Sequence, residues 1–372
     1  MNNINNKNKI KSIDFKIEAK GSGIVNWNGS FNLYSETAKS YVNNHQLPKM
    51  RNVDPMRLKS LNDKELEKAK LIVSQNCFRH EIFKNETMNL QNVNANNVLD
   101  VLTSILGLVR GYVIADEEIK LSLKRKSCLL LEDLVDNQTV LKYEQFSNSG
   151  ERNSTSIYSK TNADETFYIG YGSIVVEDLQ FIVLEDSFGR SAYKNIITEE
   201  DGKYVEEKLN EYLKTLDFDG NKNPQATFAK NYIRIGSIMK TGEAGILLND
   251  DAIDLIIKEI LNRIENVFLK QSKGYLAVTK LLIDYNNGTP MRIKNREDII
   301  QQYKNENYAI YYYESEMSSE DFEQKNQKIE EKAKARKKAK DLEKKRKEEF
   351  KQQKKLEENN YQQLNPEIKG EI

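Results

Sequence analysis

The sequence predicts an α+β protein whose strands and helices follow the βαββαβ order of ferredoxin-like domains. Between Ile13 and Ala19 apolar residues alternate with polar ones, which is typical of a half-buried strand. Residues 203–216 and 250–269 carry apolar side chains at helical spacing and lie between strand-like segments. Gly21-Ser22-Gly23 lacks the third glycine of the dinucleotide fingerprint, and no GxxxxGK[ST] motif occurs. This order favours a ferredoxin-like arrangement over a doubly wound sheet.

The other elements are predicted from local signals along the chain. Residues 1–11 are almost all Asn, Lys and Ile, and we expect a disordered arm there. The stretch from Asn28 to Leu61 contains Pro48 and Pro55, which indicates a long loop. Further helices are predicted at 64–84 and 98–108, strands at 127–133, 165–176, 179–184 and 274–285, and a hairpin joining 229–238 to 244–248.

Composition excludes several classes of protein. Two cysteines, Cys77 and Cys128, cannot build a disulfide framework, which is typical of a reducing cytoplasm. The two histidines, His45 and His80, form no CxxC or HxxxH arrangement with them, so neither a metal nor a cofactor is expected. Cys77 and His80 are interpreted as a packed thiol beside a partly exposed imidazole. The longest apolar runs are too short for a membrane span.

The C-terminal segment differs sharply from the rest of the chain. Residues 319–359 consist almost wholly of strong helix formers, so residues 316–372 are predicted to be a charged helical tail. Between Lys332 and Lys355 there are thirteen Lys or Arg against four acids, a net charge of +9 in a chain that sums to zero. The body is therefore mildly acidic. The tail is interpreted either as a solubilising appendage or as an arm that binds nucleic acid or a partner.

Basic residues of the body form small local clusters. Lys49 and Arg51 follow Pro48, Arg79 lies on the first predicted helix, and a Lys-Arg-Lys run at 124–126 precedes a strand. Several of them adjoin Ser, Asn or Gly, whose hydroxyl, amide and backbone groups donate to phosphate without reading bases. Because the body is acidic, a contact with RNA must be local.

Several of these segments carry a resemblance to a known family. The run from Ile72 to Phe83, IVSQNCFRHEIF, resembles the first helix of the backbone subunits of multisubunit CRISPR effector complexes, the Cas-seven family of the RAMP superfamily. Residues 25–29 with 48–51 are similar to that family's first strand and following loop. The basic segment 124–130 and the polar segment 156–160 resemble further parts of it, and a weaker match includes 242–245.

The resemblance implies a fold and a function. Family members have an RRM-like palm with inserted finger and thumb elements, here residues 12–315, and polymerise along a guide RNA. It implies that the chain binds guide RNA (crRNA), presents it for pairing with target DNA or RNA in antiviral defence, and contacts copies of itself and other effector subunits. It implies RNA-phosphate contacts for the following residues: Ser74, Asn76, Arg79, Lys49, Arg51, Lys124, Arg125 and Lys126.

The family thumb separates neighbouring nucleotides, and two segments are candidates for it. Residues 144–165 are polar and loop-like, whereas 221–245 combine hairpin signals with Phe228, Tyr232 and Met239. Apolar side chains are what a wedge between bases needs, so the second segment is preferred.

Two other functions stay open at this point. In some relatives a loop aspartate cleaves target RNA with a divalent metal, and Asp54 in the first long loop is the candidate here. A carboxylate beside Pro55 is more often structural, so no catalysis is expected. The second alternative is a scaffold protein that binds no nucleic acid and docks a partner through its tail.

Overall fold

The computed structural model describes residues 6–35, 40–52, 68–86, 93–94, 96–116, 121–138, 142–147, 157–162, 165–296, 298, 300 and 307–364. It has the α+β architecture that the sequence predicts, with antiparallel sheets and packed helices. The strands are β1 Ser12–Gly23, β2 Trp27–Ser35, β3 Ser40–Pro48, β4 Met50–Arg51, β5 Lys70–Val73, β6 Tyr112–Asp116, β7 Leu121–Arg125, β8 Leu129–Leu131, β9 Leu134–Asp136, β10 Lys142–Ser147, β11 Ile157–Asn162, β12 Glu165–Val175, β13 Phe181–Val183, β14 Ala226–Arg234, β15 Glu243–Leu248, β16 Phe268–Gln271, β17 Gly274–Asn286 and β18 Tyr312–Glu314.

Six α-helices accompany these strands in the described part of the chain. A π-helical turn at Leu106–Arg110 and a 3₁₀ turn at Arg292–Lys294 complete the helical structure there. The α-helices are α1 Gln75–Ile82, α2 Val98–Leu102, α3 Val176–Gln180, α4 Glu199–Leu216, α5 Asp250–Glu265 and α6 Ser319–Leu364.

The central sheet is built on β1. Its strand order is β16-β17-β1-β12-β9-β5-β4, and β8 also pairs with β12. The alternation predicted for the first strand is confirmed, because Ile13, Phe15 and Ile17 are fully buried. Phe15 faces Gly172 of β12, where an added Cβ would meet the Phe15 ring at 2.3 Å. Glycine at this position therefore lets a large core side chain cross the neighbouring strand.

Smaller units surround the central sheet. A second sheet has the order β13-β15-β14-β18 and contains the hairpin predicted around residue 242. Three two-stranded hairpins, β2/β3, β6/β7 and β10/β11, lie outside both sheets. Helix α4 begins with a capping box formed by Thr198 and Asp201, four residues before the predicted start. Helix α5 buries nine residues and begins at the predicted residue, but it ends at Glu265, and residues 268–269 of the predicted helix belong to β16.

Three local predictions were wrong. Residues 6–11 are packed, because Asn6 exchanges two hydrogen bonds with Ile310 and Ile10 is buried in a bridge with Tyr308. The predicted loop from Asn28 forms the β2/β3 hairpin over much of its length. Within the predicted helix 64–84, residues 70–73 instead hydrogen-bond as a strand to β9 and β4, and α1 begins at Gln75.

The composition of α6 suggests a helix that is exposed to solvent on all sides, but part of α6 is buried against the body. Ser318 caps its first turn through the amide of Asp321. Phe322 and Ile329 are buried against the body. The predicted tail therefore begins as part of the folded domain and leaves it farther along. No helix in the described ranges is long and apolar enough to cross a lipid bilayer.

Candidate nucleic-acid interface

The first helix starts at a well-defined cap. Ser74 is extended, and its Oγ accepts a hydrogen bond from the Cys77 amide at 3.4 Å. The same oxygen accepts from Asn26 Nδ2 at 3.1 Å and lies 3.5 Å from Lys49 Nζ. Ser74 thus joins the residue before β2, the residue after β3 and the helix at one point.

A resident carboxylate occupies the N-terminus of α1. Asp133 Oδ1 accepts from the Gln75 amide at 2.9 Å, and its Oδ2 accepts from Arg51 Nη2 at 2.9 Å. The positive end of a helix attracts anions, and here the protein supplies one. Two of the predicted RNA-binding residues, Arg51 and Ser74, therefore already contact groups of the protein at this end of the helix.

A cationic groove lies along the other side of α1. Its volume is about 490 Å³. Arginine and lysine side chains line it together with small and neutral residues, and no Asp or Glu is among them. The lining residues are Asn76, Arg79, Arg110, Gly111, Tyr112, Val113, Arg125, Lys126 and Ser127.

Two arginines give the groove its electrostatic character. Arg79 is half-buried, donates from Nη2 to the Leu129 carbonyl at 3.1 Å, and has a buried Nε with no hydrogen-bond partner among the described residues. Burial lowers the pKa of Arg79, and the charge of Arg110 lowers it further. Two like charges held close together in a partly desolvated site favour an anion between them. A phosphate, which accepts hydrogen bonds from guanidinium groups, has the required chemistry.

The basic run 124–126 separates into three different environments. Arg125 is buried and donates from Nη1 to the Phe181 carbonyl at 2.8 Å, with Nη2 3.4 Å from the Leu179 carbonyl and 3.5 Å from that of Leu108. The expectation that Arg125 contacts RNA is therefore corrected to a structural role. Lys124 is exposed, and Lys126 is an exposed cation that pairs with Asp178 at 2.8 Å.

The predicted thumb residues also lie in different environments. Phe228 and Tyr232 point into the core, where Tyr232 packs edge-on against Phe181 with ring centroids 5.3 Å apart. Buried rings cannot wedge between bases, so this part of the prediction was wrong. Met239 lies in the exposed turn 235–242 next to Ile238, whose side chain is 96% exposed. The other candidate segment contains the β10/β11 hairpin.

The candidates for catalysis and metal binding can be placed only in part. Asp54 lies outside the described residues. Burial is the main cause that raises the pKa of the Cys77 thiol, followed by the charge of Glu81, while His80 is exposed. Within the ranges that the structure covers, no three or more His, Cys, Asp or Glu side chains form a group that could hold a metal ion.

The sequence-based prediction missed one side of the groove. Arg110, which follows the predicted helix 98–108, was not assigned to the site, and neither was Asp133. Gly111 has φ of +71°, and an added Cβ would meet the Arg125 carbonyl oxygen at 2.3 Å. The available sequence signal for this side of the groove was the Arg-Gly pair at the end of an apolar helical run, because a glycine at the end of a helix often reverses the direction of the chain.

Comparisons with solved structures give low similarity over much of the chain. A chain of a "CRISPR RNA-guided surveillance complex" is 10% identical with a TM-score of 0.25, and the match covers 62% of this chain and 72% of that one. A chain of a "CRISPR RNA-guided surveillance complex, pre-nicking" is 10% identical with a TM-score of 0.24, covering 55% and 68%. Thermofilum pendens Csc2 is 10% identical with a TM-score of 0.20, covering 69% and 74%.

The sequence itself matches a family model over most of its length. No curated protein matches it significantly. The matching model is described as "Type I-Fv CRISPR-associated protein Cas7fv-like" and spans residues 9–316, which include both sheets, α1 and the groove and end just before α6. The resemblance inferred from short motifs around α1 is thereby confirmed. The chain belongs to the Cas7fv-like family of type I-Fv CRISPR-associated proteins.

Proposed function

We propose that this protein is a backbone subunit that binds guide RNA in a CRISPR effector complex and holds it for pairing with a target nucleic acid. The partners in this proposal are guide RNA, target DNA or RNA, further copies of the chain and other effector subunits. Binding is the proposed activity, with no chemical step, in a cytoplasmic complex. The observation that carries the proposal is the groove in which Arg79 and Arg110 lie together with no acidic side chain in the lining.

Several features support this role. Contacts to the sugar-phosphate backbone hold a guide strand without reading its sequence, and arginine is well suited to them. Asn76 on α1 and Lys126 beside β8 add a neutral donor and a second type of cation to the same groove. Lys49, Arg51 and Lys124 remain proposed contributors at its margins.

The central sheet supports an RRM-like palm. Strand β1 lies between β17, the last long strand, and β12, as a βαββαβ unit requires when it closes into one antiparallel sheet. Helices α1 and α5 then take the places of the two crossover helices. For the thumb we keep Met239 with its neighbour Ile238, because both are exposed on the turn between β14 and β15.

RNA binding by the groove is tested with a double variant, Arg79→Gln with Arg110→Gln. We expect the affinity for a labelled single-stranded RNA to fall by more than about a hundredfold, because two charge-assisted hydrogen bonds are lost and each contributes roughly 1.5–3 kcal/mol. Affinity is measured by fluorescence anisotropy at fixed salt, and copurifying RNA by absorbance of the purified protein.

The matched control removes two cations elsewhere. Lys203→Gln with Lys208→Gln changes the net charge equally on the exposed face of α4, where each lysine pairs with a glutamate three residues on. We expect an affinity close to that of the unchanged protein. Equal losses in the two double variants would contradict a localised site. Cleavage of guide-complementary RNA with Mg²⁺ that disappears in Asp54→Ala would instead favour the nuclease alternative.

A further inference from the structure

Helix α6 has an anchored part and a projecting part. In the anchored part, Lys325 forms a buried ion pair with Glu185 at 2.6 Å, and Asn326 donates to the Ile197 carbonyl at 3.0 Å. Arg336 approaches Asp186 of the body at 3.5 Å. From residue 338 to 354 the side chains are exposed, apart from the partly exposed Asp341. The body therefore fixes the direction in which the rest of the helix extends.

Basic residues follow one face of this helix. Seven of them recur at spacings of three or four, which places them within about 120° of arc on a helix of 3.6 residues per turn. We call this set the basic stripe, and it consists of Lys332, Arg336, Lys340, Lys344, Lys347, Lys351 and Lys354.

The basic stripe continues the face that anchors the helix. Phe322, Lys325 and Ile329 are buried against the body and have the same three-and-four spacing that leads into Lys332. The stripe is thus on the side of the helix that faces the body in the first turns. Its cations extend this side of the helix beyond the ion pair with the body that Arg336 forms with Asp186. Of the thirteen Lys and Arg between Lys332 and Lys355, seven lie on this third of the helix surface with one acid, Glu343, whereas the other six share the remaining two thirds with three acids. Helical propensity does not require this concentration of charge, because Lys and Arg favour a helix on any face.

We propose that the basic stripe binds the phosphate backbone of a nucleic acid. Between its end residues the stripe is about 33 Å long at 1.5 Å per residue, close to one turn of a B-form duplex. Lysine ammonium groups on flexible stems form phosphate contacts that need no fixed geometry. Few apolar side chains accompany the stripe, and those that are described, Leu342 and Phe350, are exposed singly. A protein groove would instead require a continuous apolar face.

This site is separate from the groove beside α1. The stripe lies beyond residue 316, where the match to the family model ends. The stripe consists of exposed cations, most of them lysines, whereas the groove contains two arginines in a partly desolvated concavity. The stripe would therefore bind nucleic acid in a protein whose groove has been disabled.

The test removes four stripe cations from the full chain: Lys340→Gln, Lys344→Gln, Lys347→Gln and Lys351→Gln. Probes are a labelled 20-base-pair DNA duplex and a labelled 20-nucleotide RNA of arbitrary sequence, titrated at several salt concentrations. For the duplex we expect the slope of log affinity against log salt to become shallower by about three to four, since each lost phosphate contact removes about 0.9. For single-stranded RNA the expected change is about three. A change confined to one probe identifies the form of nucleic acid that the stripe binds, because equal contacts with both forms would change both slopes.

The matched control removes four cations from the rest of the helix surface: Lys334→Gln, Lys338→Gln, Lys345→Gln and Arg346→Gln. Both sets change the net charge equally, and each removes one ion pair within the helix, Lys347 with Glu343 or Lys334 with Glu330. We expect the control slope to stay within about one of the unchanged protein. Circular dichroism checks that both variants keep their helix.

Two results would overturn the proposal. Equal changes in slope for the two sets would mean that only total charge matters, and no change in either would mean that the helix does not bind. The four stripe substitutions are repeated in Arg79→Gln with Arg110→Gln. We expect the same loss of slope in this background, which would show that binding by the stripe does not depend on binding by the groove.

Discussion

Two polar clusters in the body each hold a charged group partly or wholly away from bulk water, and they differ in how many hydrogen-bond partners the protein gives that group. The carboxylate of Asp14, on β1, is fully buried and accepts four hydrogen bonds. Its donors are Ser12 Oγ at 3.0 Å, Ser173 Oγ at 2.7 Å, Asn286 Nδ2 at 2.8 Å and the Arg292 amide at 2.7 Å. The guanidinium of Arg79 is half-buried, donates to one carbonyl, and lies beside a second arginine.

The number of partners within the protein distinguishes a charge with a structural role from a charge that can bind a ligand. Around Asp14 every donor comes from the protein, and Arg292 forms an additional ion pair with Asp284 at 2.8 Å. A closed network of this kind fixes β1 against β12, β17 and the turn after β17. In the groove the cations outnumber the groups that could neutralise them, so a bound anion would lower the free energy of the site. The comparison predicts that substitutions in the two clusters will affect different measurements.

The largest expected effect is that of Asp14→Ala. Four donors, three of them buried, would lose their acceptor at once, and we expect the free energy of unfolding to fall by about 3–5 kcal/mol. Urea denaturation measures the loss. RNA affinity of the remaining folded protein should be unchanged, because Asp14 does not line the groove. The control Asp219→Ala removes an exposed carboxylate, and an equal loss there would show that burial is not the cause.

An effect of intermediate size is expected for Gly111→Ala, which should lower both the free energy of unfolding and the affinity for RNA. The new Cβ would combine positive φ with a 2.3 Å approach to the Arg125 carbonyl oxygen, and Arg125 is itself held by three backbone carbonyls. We expect a loss of about 2–3 kcal/mol in unfolding free energy. Because Arg110 is adjacent in the chain, RNA affinity measured by anisotropy should fall in the folded protein as well.

Gly220→Ala is the control for this substitution. Gly220 also has a positive φ, +63°, but an added Cβ there has nothing within 4 Å. It should cost about 1 kcal/mol and leave RNA affinity unchanged. If the two variants lost equal stability, the close approach to Arg125 would have no energetic consequence.

The same comparison shows how far the sequence predicts this molecule. Long elements with strong periodicity, such as β1, β12, α4 and α5, were predicted near their observed bounds because hydrophobic spacing determines which face is buried. Strand β5 was included in a predicted helix, since a strand of four residues carries too short a pattern to outweigh the helical residues after it.

The candidate site was predicted only in its first half, for a similar physical reason. Ser74, Asn76 and Arg79 lie in one short segment that a motif can identify. Arg110 reaches the same groove through tertiary packing, which leaves no local pattern. The burial of Arg125 between two lysines is likewise a tertiary property, because its guanidinium is held by carbonyls from two separate segments, those of Leu108 and of Leu179 and Phe181.

The smallest expected effect is that of Ser74→Ala. Ser74 has structural hydrogen bonds within the protein and is also a predicted contact for RNA. Loss of the cap and of the acceptor for Asn26 should lower the free energy of unfolding by about 1 kcal/mol, with a small change in RNA affinity. Ser74→Asp separates the two contributions, because aspartate also caps a helix but adds a negative charge beside Asp133 and Lys49. Urea denaturation should show stability closer to that of the unchanged protein than in Ser74→Ala, whereas anisotropy should show weaker RNA binding, since the added carboxylate repels phosphate. Equal binding in Ser74→Asp and Ser74→Ala would mean that the phosphate path does not pass this end of α1, and would confine it to the Arg79 and Arg110 side of the groove.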